Sequence, residues 1–152
     1  MRRALQDDIP MLTELMASFY AESGYHLDHP HAASAFAALL ADEYRGYVWL
    51  IDADDQDVGY VVLTLRFGME YGGLMACLDD LYVHPQHRNL GLSTAALAHI
   101  QAFCKELGIR AITVEVDPQN GPAQTVYRRM GMVEAPGRQV LVLPLANPSH
   151  AG

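Results

Sequence analysis

Two hydrophobic periods run through this chain, and the places where one gives way to the other divide it into elements. Ile9, Leu12, Leu15, Met16 and Phe19 recur at helical spacing. Asp7 or Asp8 stands where a helix cap is wanted, Pro10 is tolerated in the first turn, and the run ends near Ser23-Gly24. A short strand from Arg3 to Leu5 precedes this helix, and a loop from Tyr25 to Pro30 follows it. His31 to Ala41 is Ala-rich, carries Phe36, Leu39 and Leu40, and predicts a second helix. The pattern then becomes extended. Tyr47 to Ile51 and Val58 to Phe67 predict a hairpin around Asp52–Asp57, and Leu74 to Val83 returns after a turn at Gly68–Gly73. Helical spacing resumes from Ser93 to Leu107, with Leu97, Ile100, Cys104 and Leu107 on one face. Gly108 stops it, and Lys105 lies in the last turn, where the helix dipole favours a cation. Ala111 to Val116 predicts another strand. Asn120 caps a last helix that has Pro122 in its first turn and ends at Gly131, and Gln139 to Leu145 predicts a final strand.

Hairpins followed by one strand–helix–strand unit specify an α/β (α+β) domain. Its central sheet is mixed and mostly antiparallel, with flanking helices. Leu74–Val83 and Ala111–Val116 should run parallel through a right-handed crossover. The length of 152 residues predicts a single domain, residues 1–146, and a small polar tail at 147–152 that is expected to be flexible.

Composition narrows the partners. Hydrophobic residues make up 51% and charged residues 18%, which suits a folded chain rather than a disordered one. A formal net charge of −8 argues against nucleic acid, which needs a basic footprint. No apolar run approaches the ~20 residues that span a bilayer, so no membrane partner is expected. Arg2 and Arg3 are not followed by an apolar signal core. Cys77 and Cys104 have neither metal nor redox spacing, and they read as free thiols of a cytoplasmic protein. His26, His29 and His31 with Asp28 match no compact zinc pattern, so no metal is expected. G-x-G-x-x-G after a strand, G-x-x-x-x-G-K-[ST] and G-x-S-x-G are all missing.

Candidate chemistry concentrates between Asp79 and Leu107. A strand runs into a turn at His84-Pro85, then into Arg88-Asn89-Leu90-Gly91-Leu92-Ser93, and a helix starts at once. The first turn of a helix carries N–H groups without partners and a partial positive charge, so this junction can cradle an anion. Gly91 would let backbone approach a phosphate closely. Asp79 and Asp80 lie on the strand leading there, and alternation sends them to opposite faces.

VHPQHRNLGLSTAAL resembles the acetyl-CoA signature of the GCN5-related N-acetyltransferase (GNAT) family. That signature is Arg/Gln-x-x-Gly-x-Gly/Ala after a strand, here Arg88-x-x-Gly91-x-Ser93. The segment NGPAQTVYRRMGM resembles a second motif of the family through Asn120, Ala123, Tyr127 and Gly131. Two motifs in order, about thirty residues apart, are more specific than either alone. Asn89 stands where the family usually has Gly, and Ser93 where it has Gly or Ala. Asn tolerates left-handed backbone, and Ser is small enough to replace Gly or Ala.

The resemblance implies acetyl-CoA as co-substrate and the acyl-CoA N-acyltransferase fold, with a splayed pair of parallel strands ending at Val83 and Val116. Backbone N–H groups from Arg88, Asn89, Leu90, Gly91, Leu92, Ser93 and Thr94 would cradle the pyrophosphate. Leu81, Tyr82 and Val83 would pair with the pantetheine arm, and a backbone N–H near Val83 would face the thioester oxygen. Asn120, Ala123 and Tyr127 would contact the arm from the last helix. Tyr127 would protonate the leaving thiolate. Asp79 would act as base through a water, with Asp80 and more distantly Glu115 as alternatives. Acids beside aromatics suit an ammonium group, which makes Glu22, Tyr25 and Asp28, with Glu70 and Tyr71, the candidate acceptor residues. His84 and His87 flank the cradle, with packing the expected role of His87. The activity implied is transfer of an acetyl group to a primary amine of a small molecule, such as a polyamine or amino acid. A protein lysine or N-terminal acetyltransferase and a non-catalytic acyl-CoA-binding module remain as alternatives. Relatives often form homodimers.

Overall fold

The computed structural model describes residues 1–146; the predicted tail at 147–152 lies outside the described residues. Five strands form one sheet in the order β1 (Arg2–Arg3), β2 (Gly46–Ala53), β3 (Gln56–Gly68), β4 (Gly73–Val83) and β5 (Ile112–Val114). The first four are antiparallel, and β4 pairs with β5 in parallel. Helices α1 (Ile9–Glu22) and α2 (His29–Leu40) precede β2; α3 (Leu92–Glu106) crosses from β4 to β5; α4 (Gly121–Arg129) follows.

Strand alternation sends two sets of side chains to two cores. Tyr47, Trp49 and Ile51 of β2, Val61 and Leu63 of β3, and Ala76 and Leu78 of β4 pack under α3, on Ala96, Leu97, Ile100 and Cys104. Val126, Tyr127 and Met130 bring α4 to the same side. On the other face Val48, Leu50, Tyr60, Val62 and Tyr82 meet Leu12, Leu15, Met16 and Phe19 of α1 and Phe36, Leu39 and Leu40 of α2. The α1 stripe read from the sequence is therefore the stripe that packs. Each fully buried large apolar side chain contributes about 1.5–3 kcal/mol, and Trp49, Leu12, Leu50, Leu63 and Ile100 are all in that class.

Local chemistry moves several predicted boundaries. Helix α2 starts at His29, inside the predicted loop, because the Asp28 carboxylate accepts the His31 N–H at 3.0 Å and Pro30 fits the first turn. The first hairpin turn contracts to Asp54-Asp55, both left-handed (φ 51° and 60°), the geometry that matches the twist of paired strands. Helix α3 begins at Leu92 with Gly91 as its N-cap, so Ser93 lies inside the first turn. Asn120 caps α4 as expected, accepting the Ala123 N–H at 3.2 Å. Gly131 (φ 88°) closes it, with the Met132 N–H reaching the Tyr127 carbonyl at 3.1 Å.

The predicted last strand, Gln139–Leu145, is a correction: those residues form no strand, and Val140, Leu141, Val142, Leu143 and Leu145 are exposed. Alternating apolar residues make a strand only when an edge accepts their backbone, and here β5 pairs with β4 alone. The β1 and β5 predictions were also too long.

The β3–β4 pair carries a tightly constrained glycine beside the end of β4. Gly59 lies opposite Val83, and a Cβ there would collide with the Tyr82 carbonyl. Gly59→Ala is expected to lower unfolding stability by about 1–3 kcal/mol, read as a fall in the urea midpoint with the m-value unchanged. Gly121→Ala, whose Cβ would meet nothing within 4 Å, is the control and should be close to neutral.

Candidate active site

Strand β4 builds the site by losing a neighbour. Its pairing with β5 ends at Leu78↔Val114, while β4 itself continues to Val83. The change coincides with a bulge: Val62 opposes Asp80 and Leu63 opposes Leu78, which leaves Asp79 as the extra residue. Beyond the bulge β4 still pairs with β3, and the His84 N–H donates to the Val58 carbonyl at 2.7 Å. Antiparallel ladders alternate their bonding sides, so the N–H of Val83 faces the opposite edge, where β5 has already ended.

The loop after β4 forms a concave run of amides. Asn89 (φ 61°) and Gly91 (φ 78°) are both left-handed, and such turns aim successive N–H groups at one point. Gly91 offers no capping side chain, and the first bond within α3 runs from Ala95 N to Gly91 O at 2.9 Å. The N–H groups of Leu92, Ser93 and Thr94 therefore have no acceptor inside the helix. A Cβ on Gly91 would meet nothing within 4 Å, so the loop is open on that side. Beside it, His87 Nδ1 is buried with no hydrogen-bond partner among the described residues. A diphosphate needs such donors and such room, so the residues fit the phosphate end of acetyl-CoA.

Arg88 holds this loop in place. Its Nε donates to the Val83 carbonyl at 2.8 Å, its guanidinium bonds Glu22 at 2.6 Å, and it lies 5.6 Å from the centre of the Tyr82 ring. The ion pair is partly exposed and worth at most about 1 kcal/mol, but it ties the end of α1 to the end of β4.

Acids and phenols gather at the bulge. Tyr60 donates to Asp80 Oδ2 at 2.9 Å. Burial pushes the Asp80 carboxyl up to about 6; the Tyr60 hydrogen bond pulls it down and the neighbouring Asp79 charge pushes it up. Asp79 lies exposed at the bulge, and partial desolvation by the protein around it still raises its carboxyl. Tyr20, on α1, is pushed up to about 12 by burial and then by Asp80 and Asp79. Tyr127, half-buried on α4, is raised by burial and by Asp80. Asp79 acts on Tyr20 and Tyr60, as Asp80 does. The bulge thus overturns the expectation that alternation separates the two acids.

Asp80 lies near enough to Tyr127 for its charge to raise the phenol, Asp79 adjoins Asp80 at the bulge, and Leu81, Tyr82 and Val83 lead from them to the loop at Gly91. The structure does not assemble the predicted acceptor residues into one group. Glu22 is paired with Arg88, and Asp28 caps α2. Tyr25 is exposed. Glu70 is bonded to Arg138 at 2.9 Å, and it lies with the exposed Tyr71 in the β3–β4 turn. That turn is at the opposite end of β4 from Val83, roughly 30 Å away at the usual rise per residue. Sequence reasoning missed Tyr20 and Tyr60. A Tyr inside an apolar strand signals a buried hydroxyl in need of a partner, but the bulge hides which residue supplies it.

Comparison with known proteins follows this geometry. Residues 9–132 match the profile of the Acetyltransferase (GNAT) family. The streptothricin acetyltransferase of Streptomyces lavendulae is 37% identical over 36% of this chain and 29% of its own length. The aminoglycoside N(6')-acetyltransferase type 1 of Stenotrophomonas maltophilia is 28% identical over 62% of this chain and 64% of its own. The chain thus spans less than two thirds of either curated relative. Among solved structures, the integron cassette protein HFX_CASS3 from the mobile metagenome of Cole Harbour Salt Marsh is 44% identical. It superposes with a TM-score of 0.89 over 98% of this chain and 92% of that one. With its family profile covering both the phosphate loop and Tyr127, this chain belongs to the GNAT acetyltransferase family.

Proposed function

We propose that the protein moves the acetyl group of acetyl-CoA to the primary amine of a small molecule, such as a polyamine, an amino acid or a related amine, by direct attack on the thioester. The observation that carries this reading is the meeting of Asp80 and Tyr127 beside the open edge of β4. Membership of a family whose curated members include an aminoglycoside acetyltransferase supports the substrate class.

Each step falls to a named group. The amine arrives as an ammonium and must lose a proton to attack. Asp80 accepts it, because a carboxyl raised to about 6 is both ionised and basic near neutral pH. Asp79, exposed beside it, passes the proton to water. The amine nitrogen then bonds to the thioester carbon, and the Val83 N–H takes the charge that develops on the oxygen. Collapse breaks the carbon–sulfur bond; the thiolate takes a proton from Tyr127, and the surplus proton on the new amide nitrogen leaves through water to restore the phenol. That phenol is held above its ordinary value, so it reaches the step still protonated. The amides around Gly91 hold the diphosphate, with Leu81 to Val83 and the Asn120–Ala123 turn flanking the arm. No metal and no second subunit enter the proposed scheme.

The decisive experiment is a panel of amine acceptors monitored by release of free CoA. Turnover with free amines supports the reading. Turnover confined to protein lysines or N-termini contradicts the substrate class, and CoA binding without turnover contradicts an enzyme. With an acceptor in hand, Tyr127→Phe should cut kcat at saturating substrate by about 10²–10⁴-fold, the usual span for a lost general acid, while CoA affinity measured by calorimetry stays within about twofold. An unchanged kcat removes Tyr127 from the proton transfer.

The pH dependence has a definite sign. Asp80 must be ionised to accept a proton, so kcat should fall as pH drops through a midpoint near 6. Asp80→Asn should remove that limb together with most of the activity. A limb that persists in Asp80→Asn assigns the base elsewhere.

A further inference from the structure

Tyr60 has no part in the scheme above, yet its hydroxyl meets the proposed base. It sits on β3 opposite Tyr82 and is completely buried. Its ring is enclosed by Phe36 (6.0 Å between centroids), Phe19 (6.5 Å) and Tyr82 (6.2 Å). A ring so enclosed has little freedom to swing its hydroxyl elsewhere. The hydroxyl donates to Asp80 Oδ2 at 2.9 Å. The second carboxylate oxygen remains available as an acceptor.

We infer that Tyr60 is the positioning residue of the active site: it fixes one oxygen of Asp80, turns the other toward the incoming amine, and sets the proton affinity of the pair. This rests on the assignment of Asp80 as base.

The choice of a tyrosine follows from its surroundings. A histidine or lysine in that place would titrate or add a full charge. Burial and the Asp80 charge hold the Tyr60 phenol far above its ordinary value, so it donates at every working pH and never competes for the acceptor's proton. Asp80 and the titratable groups around it come from four elements. Asp79 of β4 raises it and Tyr60 of β3 lowers it, while Tyr20 of α1 and Tyr127 of α4 feel its charge in turn. Burial alone would drive the carboxyl further up. The hydrogen bond from Tyr60 offsets part of that rise.

The test uses the full chain labelled with ¹³C at aspartate carboxyls, with Asp80 titrated by NMR in the absence of any substrate. In Tyr60→Phe, which keeps the ring and loses only the hydroxyl, the Asp80 midpoint should rise by about one unit. In Asp79→Asn it should fall. The acid limb of kcat should move in the same direction in each variant. A merely structural Tyr60 would lower the melting temperature and leave both midpoints where they were. In the unaltered protein, the Tyr60 hydroxyl proton should give a downfield signal whose shift follows the Asp80 titration. An Asp80 midpoint unmoved by Tyr60→Phe, or a hydroxyl signal indifferent to pH between about 5 and 7, overturns the inference. If the midpoint moves and the kinetic limb does not, the Tyr60 contact stands and the assignment of Asp80 as base fails.

Discussion

The site depends on one break in backbone pairing. Strands β4 and β5 are held together only from Ala76 to Leu78, and from the bulge at Asp79 onward β4 has β3 on one side and an open edge on the other. An open edge is normally a liability, because its N–H and C=O groups invite any extended chain. In the proposed scheme the same groups form a docking strip for an extended ligand. A helix N-terminus stands at the far end of that strip and the paired acids at the near end. A fully laddered sheet would have the same core and no site.

Electrostatics then follows from packing. The face that carries Tyr60, Tyr82, Phe19 and Phe36 is aromatic and largely dry. A carboxylate there loses hydration and moves toward neutral pH. Phenols beside that carboxylate are raised as well, away from neutral pH, and stay protonated. One patch of burial therefore prepares a proton acceptor and proton donors together, which is the pattern acid–base chemistry calls for. On the solvent side, Arg88 joins Glu22 to the Val83 carbonyl, so the end of α1 and the loop after β4 are fastened at the same point.

How much of this could be read from the sequence depends on the range of the physics involved. Elements fixed by neighbours in the chain were legible. The α1 stripe, the Asn120 cap, the glycine stops at Gly108 and Gly131 and the phosphate loop all follow from residues within a turn or two of each other. Features fixed across the sheet were not. The bulge at Asp79 arises from the register between β3 and β4, and no local pattern announces an extra residue. The Tyr60–Asp80 and Arg88–Glu22 contacts join residues 20 and 66 positions apart, and each member alone looks like an ordinary buried tyrosine or surface charge. The predicted strand at Gln139–Leu145 failed for the converse reason. Its alternation is a good local pattern, but a strand also needs an edge to pair with. Asp28 shows how a functional expectation can conceal a structural role, since its carboxylate is engaged in starting α2.

The central claim is that the loop at Gly91 and the unpaired edge of β4 are one continuous surface for an acyl-CoA. Amide NMR during a titration with CoA tests it most directly, because it reads each backbone N–H separately and requires no knowledge of the acceptor. The account predicts that the signals of Val83 and of Gly91 through Thr94 shift together along one saturating curve. Shifts confined to other surfaces, with these amides unmoved at saturation, would contradict it.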